Sequence, residues 1–299
     1  MPYIGLRKPI VGKRNSDGTY GDPLRYGKAV AMTVTPNYAE GSSYADDAQD
    51  EYDKEYTNAD ITLGTNYVPI KAEPILFGHE IDEETGHVIY NANDQSNEVG
   101  VGIMRVEKSN GARKYTAIFI FKAKFSEPSE DYETKGESIT YKTPSISGKA
   151  TPIDDGRWKE SKICDTMTDA LSWIYSMFGK TLGTLTVQSA ASSTADGKTK
   201  LTVTPEKEGD NTYVYKTGAN VELPAYDDTC NAASGWKTWD GTEEITAKTG
   251  DKIVVVEIDE DALAKKAGTA TVAAKEATQT LSGQNAAPAR GNTESEDED

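Results

Sequence analysis

Tyr115-Thr116-Ala117-Ile118-Phe119-Ile120-Phe121-Lys122-Ala123-Lys124-Phe125 decides the fold class. Its odd positions run Tyr115, Ala117, Phe119, Phe121, Ala123, Phe125, while Lys114, Thr116, Lys122 and Lys124 mark the even ones. Alternation with period two is the pattern of a β-strand with one buried face. Ile118 and Ile120 break it, because they place a second apolar patch on the polar face at mid-strand. That patch predicts a second layer, so Ile118 and Ile120 are candidate inter-sheet or inter-subunit contacts. A partner strand, Val101–Lys108, precedes across Ser109-Asn110-Gly111-Ala112-Arg113, and Asn-Gly is a strong hairpin signal because both residues tolerate positive φ. Ser126-Glu127-Pro128-Ser129 ends the run, and Ser138–Tyr141 leads into a third extended segment closing near Gly148. This is a sheet built for packing, with no catalytic pattern in it.

Outward from that sheet, 299 residues favour two domains over one. A hydrophobic fraction of 36% is low, yet a chain this long still buries a core. Tyrosines number 16 against 5 phenylalanines, which suits half-wet sheet surfaces and interfaces. The net charge of −17 is spread over both halves and excludes nucleic-acid binding by charge, which needs Lys and Arg to displace phosphate counterions. Two distant cysteines, Cys164 and Cys230, leave no CxxC metal site and make no disulfide framework. No stretch approaches the roughly 20 apolar residues that span a bilayer, and Arg7-Lys8 is followed by only Ile10-Val11 before Lys13, which is not a signal-peptide pattern. These features predict a soluble chain made in a reducing cytoplasm, with no membrane partner.

In chain order, Met1–Gly21 reads as irregular and Ala29–Val34 as a strand. Tyr38–Ala59 has almost no aliphatic residues and carries Tyr44, Asp46, Asp47, Glu51, Tyr52, Asp53 and Tyr56. It reads as a long exposed excursion whose tyrosines another molecule covers, and those seven residues are the candidate inter-subunit contact. Pro69-Ile70 and Pro74–Phe77 read as short helical turns, the second stopped by Gly78. One helix is convincing: Thr166 as N-cap with Asp169 three residues on, a stripe of Met167, Ala170, Leu171, Ile174 and Phe178, and Gly179 as the stop. Beyond Lys180, Thr/Val-rich runs at Gly183–Gln188, Lys198–Thr204, Thr212–Lys216 and Lys252–Ile258, separated by turns, predict a small Ig-like β-sandwich. The expected division is residues 1–180 with one flanking helix, 181–283 as the small β-domain, and 284–299 as a disordered acidic tail.

No enzyme emerges. His79 and His87 are the only histidines, from which neither a two-His metal site nor a Ser/His/Asp triad is comfortably assembled, and both read as surface or turn residues. The Asp46–Glu55 cluster lacks the spacing of a calcium loop, so no metal and no cofactor is expected. Gly100-Val101-Gly102 is a fragment of a dinucleotide motif, but it opens a strand and not a helix. Trp236 and Trp239 read first as core of the small domain and second as a glycan-stacking pair.

Several strings together resemble the major tail protein family of long, non-contractile-tailed bacteriophages: Tyr44-Ala45-Asp46-Asp47, Glu51-Tyr52-Asp53, Leu76-Phe77-Gly78-His79, Asn110-Gly111-Ala112-Arg113-Lys114-Tyr115, Phe125-Ser126-Glu127-Pro128, Thr134–Ile139, Thr143-Pro144 and the Trp173-bearing helix. Their order matches over about residues 1–180, and the small β-domain resembles domains appended to such proteins. The resemblance implies a tail-tube-type β-sandwich or barrel, a virion subunit assembled in the host cytoplasm into stacked hexameric rings for DNA ejection. It further implies partners in itself and in tape-measure, terminator and baseplate proteins, and double-stranded DNA passing through the lumen without specific binding. It places the small domain on the exterior. The competing expectations are a two-domain β-rich adhesion module recognising a cell-surface glycan, and an acidic glycosidase.

Overall fold

The computed structural model describes residues 2–82, 84–109, 111–130, 134 and 143–276. The first region runs β1 (Tyr3–Lys13), β2 (Leu24–Arg25), β3 (Ala29–Ala45), β4 (Ala48–Thr65), α1 (Glu73–Leu76), β5 (Glu80–Asp82), β6 (His87–Ile89), β7 (Val99–Ser109), β8 (Ala112–Ser126), β9 (Ser145–Ala150), β10 (Lys159–Cys164) and α2 (Met167–Met177). The second comprises β11 (Gly183–Thr184), β12 (Thr186–Ala191), β13 (Lys198–Thr204), β14 (Thr212–Gly218), β15 (Lys237–Trp239), β16 (Ile245–Thr246), β17 (Lys252–Ile258) and β18 (Ala264–Thr271). The protein is mainly β. Ser138–Tyr141 and the 284–299 tail lie outside the described residues, and the third extended segment is β9.

Eight strands of the first region form one sheet, β2-β1-β7-β8-β9-β4-β3, with β10 also paired to β8. The sheet curls until β3 approaches β1, a partly closed barrel. Val11, Ile61, Leu63, Val101, Ile103 and Ile146 fill its inside together with α1. On the opposite face of β8, Ala117, Phe119 and Phe121 meet Leu171 and Ile174 of α2 and Phe178 at its C-terminal cap.

The central strand is not in one phase throughout. Val99 pairs with Ala123 and Val101 with Ile120, so β8 carries one extra residue there, a β-bulge. The bulge turns Ala123 and Phe125 to the barrel interior, on the side of Ile118 and Ile120, while Ala117, Phe119 and Phe121 face the helix. A single buried face along all odd positions is therefore corrected, because one inserted residue reverses every later side chain. The Gly100-Val101-Gly102 run has a packing cause: a Cβ on Gly102 would stand 2.2 Å from Ile174 Cγ2, and one on Gly100 2.6 Å from Tyr20. Glycine lets α2 lie close on the sheet.

The α2 helix starts as its sequence requires, with the Thr166 hydroxyl accepting the Asp169 N–H at 3.0 Å, and Gly179 follows its end at φ +74°. Each of its large buried side chains contributes about 1.5–3 kcal/mol of apolar burial.

The second region packs a five-stranded sheet, β11-β18-β17-β14-β15, on a three-stranded one, β12-β13-β16. Leu185, Leu201, Tyr213, Ile253 and Val255 lie between them. On the outer face of the larger sheet, Val214, Val254 and Val256 are covered by the β14–β15 connection, which contributes Cys230 and Trp236. β17, buried on both faces, reads as the continuous apolar run Ile253-Val254-Val255-Val256.

The two regions meet at Ala225–Asp228. Ala225 joins the α2 cluster, and the Tyr226 ring packs edge-on to Tyr175 at 5.2 Å. Asp227 accepts bonds from the Tyr175 hydroxyl at 2.9 Å and Lys265 Nζ at 2.6 Å, and its carbonyl accepts from Arg25 at 2.5 Å. Asp228 pairs with Lys8 at 2.7 Å.

Candidate functional site

Tyr38–Ala59 is not a loop. β3 and β4 continue past the last β9 pairing at Ala59 as a two-stranded arm, from Tyr38 paired with Tyr56 to Ala45 paired with Ala48. The cause lies in turn chemistry and β-propensity: Asp46 and Asp47 take φ of 49° and 61° at the tip, the left-handed region that aspartate tolerates. The flanking Thr, Tyr and Ser residues suit extended chain. The expectation of an exposed segment holds, but its ordering comes from a hydrogen-bonded ladder.

Pairing puts directly opposed side chains on the same face. Tyr38/Tyr56, Glu40/Lys54 and Ser42/Tyr52 share one face, whereas Ala39/Glu55, Gly41/Asp53 and Ser43/Glu51 share the other. One side is thus tyrosine-rich and the other small and acidic. Lys54 binds Glu40 at 2.5 Å and sits 4.5 Å above the Tyr38 ring. At the base, Tyr56 stacks on Trp158 at 4.9 Å and donates to the Ala150 carbonyl at 3.2 Å. Tyr44 and Tyr52, by contrast, are 72% and 54% exposed. Of the seven residues singled out here, Tyr56 anchors the arm while Tyr44, Asp46, Asp47, Glu51, Tyr52 and Asp53 lie exposed along it.

Ile120 is fully buried in the barrel interior of its own chain, and Ile118 is half-buried against the same cluster. Trp236 and Trp239 are not brought together: Trp239 lies between the two sheets of the second region, with its indole N–H donating to the Glu243 carbonyl at 2.8 Å, and Trp236 lies in the outer cluster. An edge of Trp239 and of Tyr213 borders a groove of about 480 Å³ with Glu206, Lys207 and Asp240. Cys164 and Cys230 are buried, free thiols, and burial pushes the Cys230 thiol up to about 12. Among the described residues no three His, Cys, Asp or Glu side chains are placed to hold a metal ion. No helix of the described residues is long and apolar enough to cross a membrane.

His87 is exposed on β6, but His79 is not a surface residue. It is 2% exposed, among carboxylates from three segments. Period and spacing carry no sign of this, since Glu73, Asp94 and Glu127 come from separate parts of the chain.

Residues 191–275 match the family of the C-terminal domain of the S-layer protein SbsC. No curated protein matches the chain. Among solved structures, domains 7, 8 and 9 of SbsC align at 12% identity and a TM-score of 0.29, covering 89% of this chain and 69% of that one. Domains 4–9 of the same surface-layer protein align at 11% identity and 0.29, covering 93% and 69%. A TM-score of 0.29 does not establish a shared fold, so the family match carries the comparison.

That match overturns the tail-protein resemblance and what it implied: a virion tail location with assembly in the host cytoplasm, hexameric tube rings, DNA ejection, and tape-measure, terminator, baseplate and DNA partners. The structure supplies a reason the strings misled. Tyr44–Asp47 is a hairpin tip, Leu76–His79 a helix stop, and the run after Asn110 a strand start. Turn chemistry demands such residues in many β-proteins, whatever their family.

Proposed function

We propose that the chain is a non-catalytic structural and adhesive module of surface-layer type, which joins a protein array at a cell surface through its β3–β4 arm. The likeness of residues 191–275 to an S-layer domain supports the setting. The arm carries the reading: Tyr44 and Tyr52 are held out on a hydrogen-bonded ribbon, outside every core cluster of the described residues. Tyrosines supply large, rigid contact area at low entropic cost, which is what an interface uses. Both edges of the distal ribbon also present backbone groups that no strand among the described residues pairs, a template for strand addition by a neighbour.

In this reading, the tyrosine face packs on one neighbouring copy, Asp46 and Asp47 at the tip meet its basic or amide groups, and Glu51 and Asp53 on the opposite face are open to a second copy. Ile118 and Ile120 serve as the packed wall behind the arm's base. Sedimentation and electron microscopy of wild-type protein and of a variant lacking Tyr44–Tyr56 test it. Wild type should form concentration-dependent assemblies, and the shortened protein should stay monomeric while keeping a cooperative thermal unfolding transition. Equal association of the two would assign assembly elsewhere.

A further inference from the structure

The sheet has an open strand position beside β10. β7 pairs with β8 from Ala112 to Ala123, so β9 and β10 share the other edge of β8 end to end, β9 against Ala123–Ser126 and β10 against Tyr115–Ile120. β4 pairs with the outer edge of β9, from Gly64 opposite Ser145 to Ala59 opposite Ala150. Continued in that direction, β4 would run beside β10. It leaves the sheet as the arm instead, at the corner where Tyr56 stacks on Trp158. Among the described residues β10 is therefore paired on one side only, and alternate residues of Lys159–Cys164 turn their N–H and C=O groups outward.

That edge also carries side chains without partners. Ile163 is 59% exposed, more than any other large aliphatic side chain among the described residues. Beside it a groove of about 560 Å³ opens between β10 and α2, with Lys162, Ile163, Asp169, Ser172, Trp173 and Ser176 in its lining. Glu160 is held by Arg157 at 3.0 Å, Asp165 by Lys114, and Asp169 accepts the Thr166 hydroxyl at 2.7 Å. Lys159 and Lys162, by contrast, make no ion pair among the described residues. The arm has the opposite balance: residues 38–56 hold seven acids against one lysine, and that lysine is bound to Glu40.

We propose that the β4 edge of the arm adds as a strand to β10 of a second copy, taking there the place that each chain's own β4 leaves. This docking rests on the arm's role in assembly and names the surface the arm meets. Backbone groups along Glu51–Glu55 and Lys159–Cys164, left without a strand in each chain, then satisfy one another. Tyr52 enters the groove at Ile163 and Trp173 and covers the exposed isoleucine. Attraction between the acidic arm and Lys159 and Lys162 steers the approach and selects this edge over others. A donor arm and an acceptor edge on every chain let the contact propagate from copy to copy, as an array requires.

Separating donor from acceptor tests it. Lys162→Glu combined with Ile163→Glu, both at exposed positions, repels the arm of a neighbour and removes the apolar contact, while the chain's own arm stays intact. The variant lacking Tyr44–Tyr56 keeps β10 but has no donor. In sedimentation the first should self-associate at least about tenfold more weakly than wild type, the loss of one charged contact or more, and the second should be monomeric. Mixed in equal amounts, the two should form a heterodimer that grows no further. Lys162→Glu alone should show a smaller loss with wild-type melting, which separates a broken contact from a misfolded double variant. Wild-type association should also weaken as NaCl rises from about 50 to about 500 mM. A β10 variant that assembles as wild type overturns the docking and leaves the arm's role standing, whereas an arm-less chain that assembles as wild type overturns both. Absence of the heterodimer, or a wild-type monomer whose arm lies on its own β10, overturns the docking as well.

Discussion

At the arm, Tyr44 and Tyr52 stand in solvent on a ladder of backbone hydrogen bonds; at the junction, Asp227 is 5% exposed and ties side chains from both regions together. Both are polar. They differ in where their partners are. The junction satisfies Asp227 from within, its carboxylate through Tyr175 and Lys265 and its carbonyl through Arg25, so losing the side chain strands the buried Tyr175 hydroxyl. The arm has backbone partners along its inner ladder only, so its side chains are spare for an outside contact. Polar residues stabilise a fold where the chain itself closes the network, and serve assembly where it does not.

Replacing Asp227 should show the largest effect. Asp227→Ala removes the acceptor of the buried Tyr175 hydroxyl, leaves Lys265 with Asp259 alone at 2.9 Å and puts alanine at φ 62°, which should cost about 2–5 kcal/mol. Urea unfolding followed by tryptophan fluorescence should then split into two transitions as the regions uncouple. Asp227→Asn keeps the backbone preference and should lose less. A single transition at the wild-type midpoint in Asp227→Ala would falsify the internal-closure side of the comparison.

Next comes the barrel wall behind the arm. Ile120→Asp buries an unpaired carboxylate and should destabilise the monomer by several kcal/mol, while Ile118→Asp, at a half-buried site, should cost clearly less. If both variants melt together near wild type in a thermal scan, that face is not core.

A third, smaller effect is acid sensitivity in the second region. Burial raises the Glu257 carboxyl, but bonds from Asn211, the Glu208 N–H and Lys266 outweigh it and hold the acid below its ordinary range. A depressed folded pKa contributes stability above the unfolded value, about 4.3, and loses it as pH falls through the folded one. Stability should therefore decline below about pH 4, and Glu257→Gln should flatten that decline. A slope unchanged by the substitution would show that other acids govern it.

The smallest effect on folding belongs to the arm. Tyr44→Ser with Tyr52→Ser should change unfolding free energy by no more than about 0.5 kcal/mol, since neither ring packs in a core. The same double variant should lose self-association in sedimentation. A large drop in stability with assembly intact would reverse the contrast between arm and junction.

Local rules settled much of this protein. Alternation named β8, Thr166 and Gly179 bounded α2, and Thr/Val runs with turn signals located β12 to β14 and β17, because strand period and capping are properties of neighbouring residues. The absence of aliphatic residues in Tyr38–Ala59 likewise announced an exposed segment. Other features needed the tertiary structure. The bulge opposite Val99–Val101 depends on a partner strand, so the alternation in β8 could not reveal that Ala123 and Phe125 change sides. The arm's ladder joins segments whose composition alone reads as loop. His79 gathers Glu73, Asp94 and Glu127, and Asp227 gathers Tyr175, Lys265 and Arg25, across separations over which sequence has no period. Which charges face one another is decided by how the sheets curl and dock, and that geometry is a property of the packed molecule.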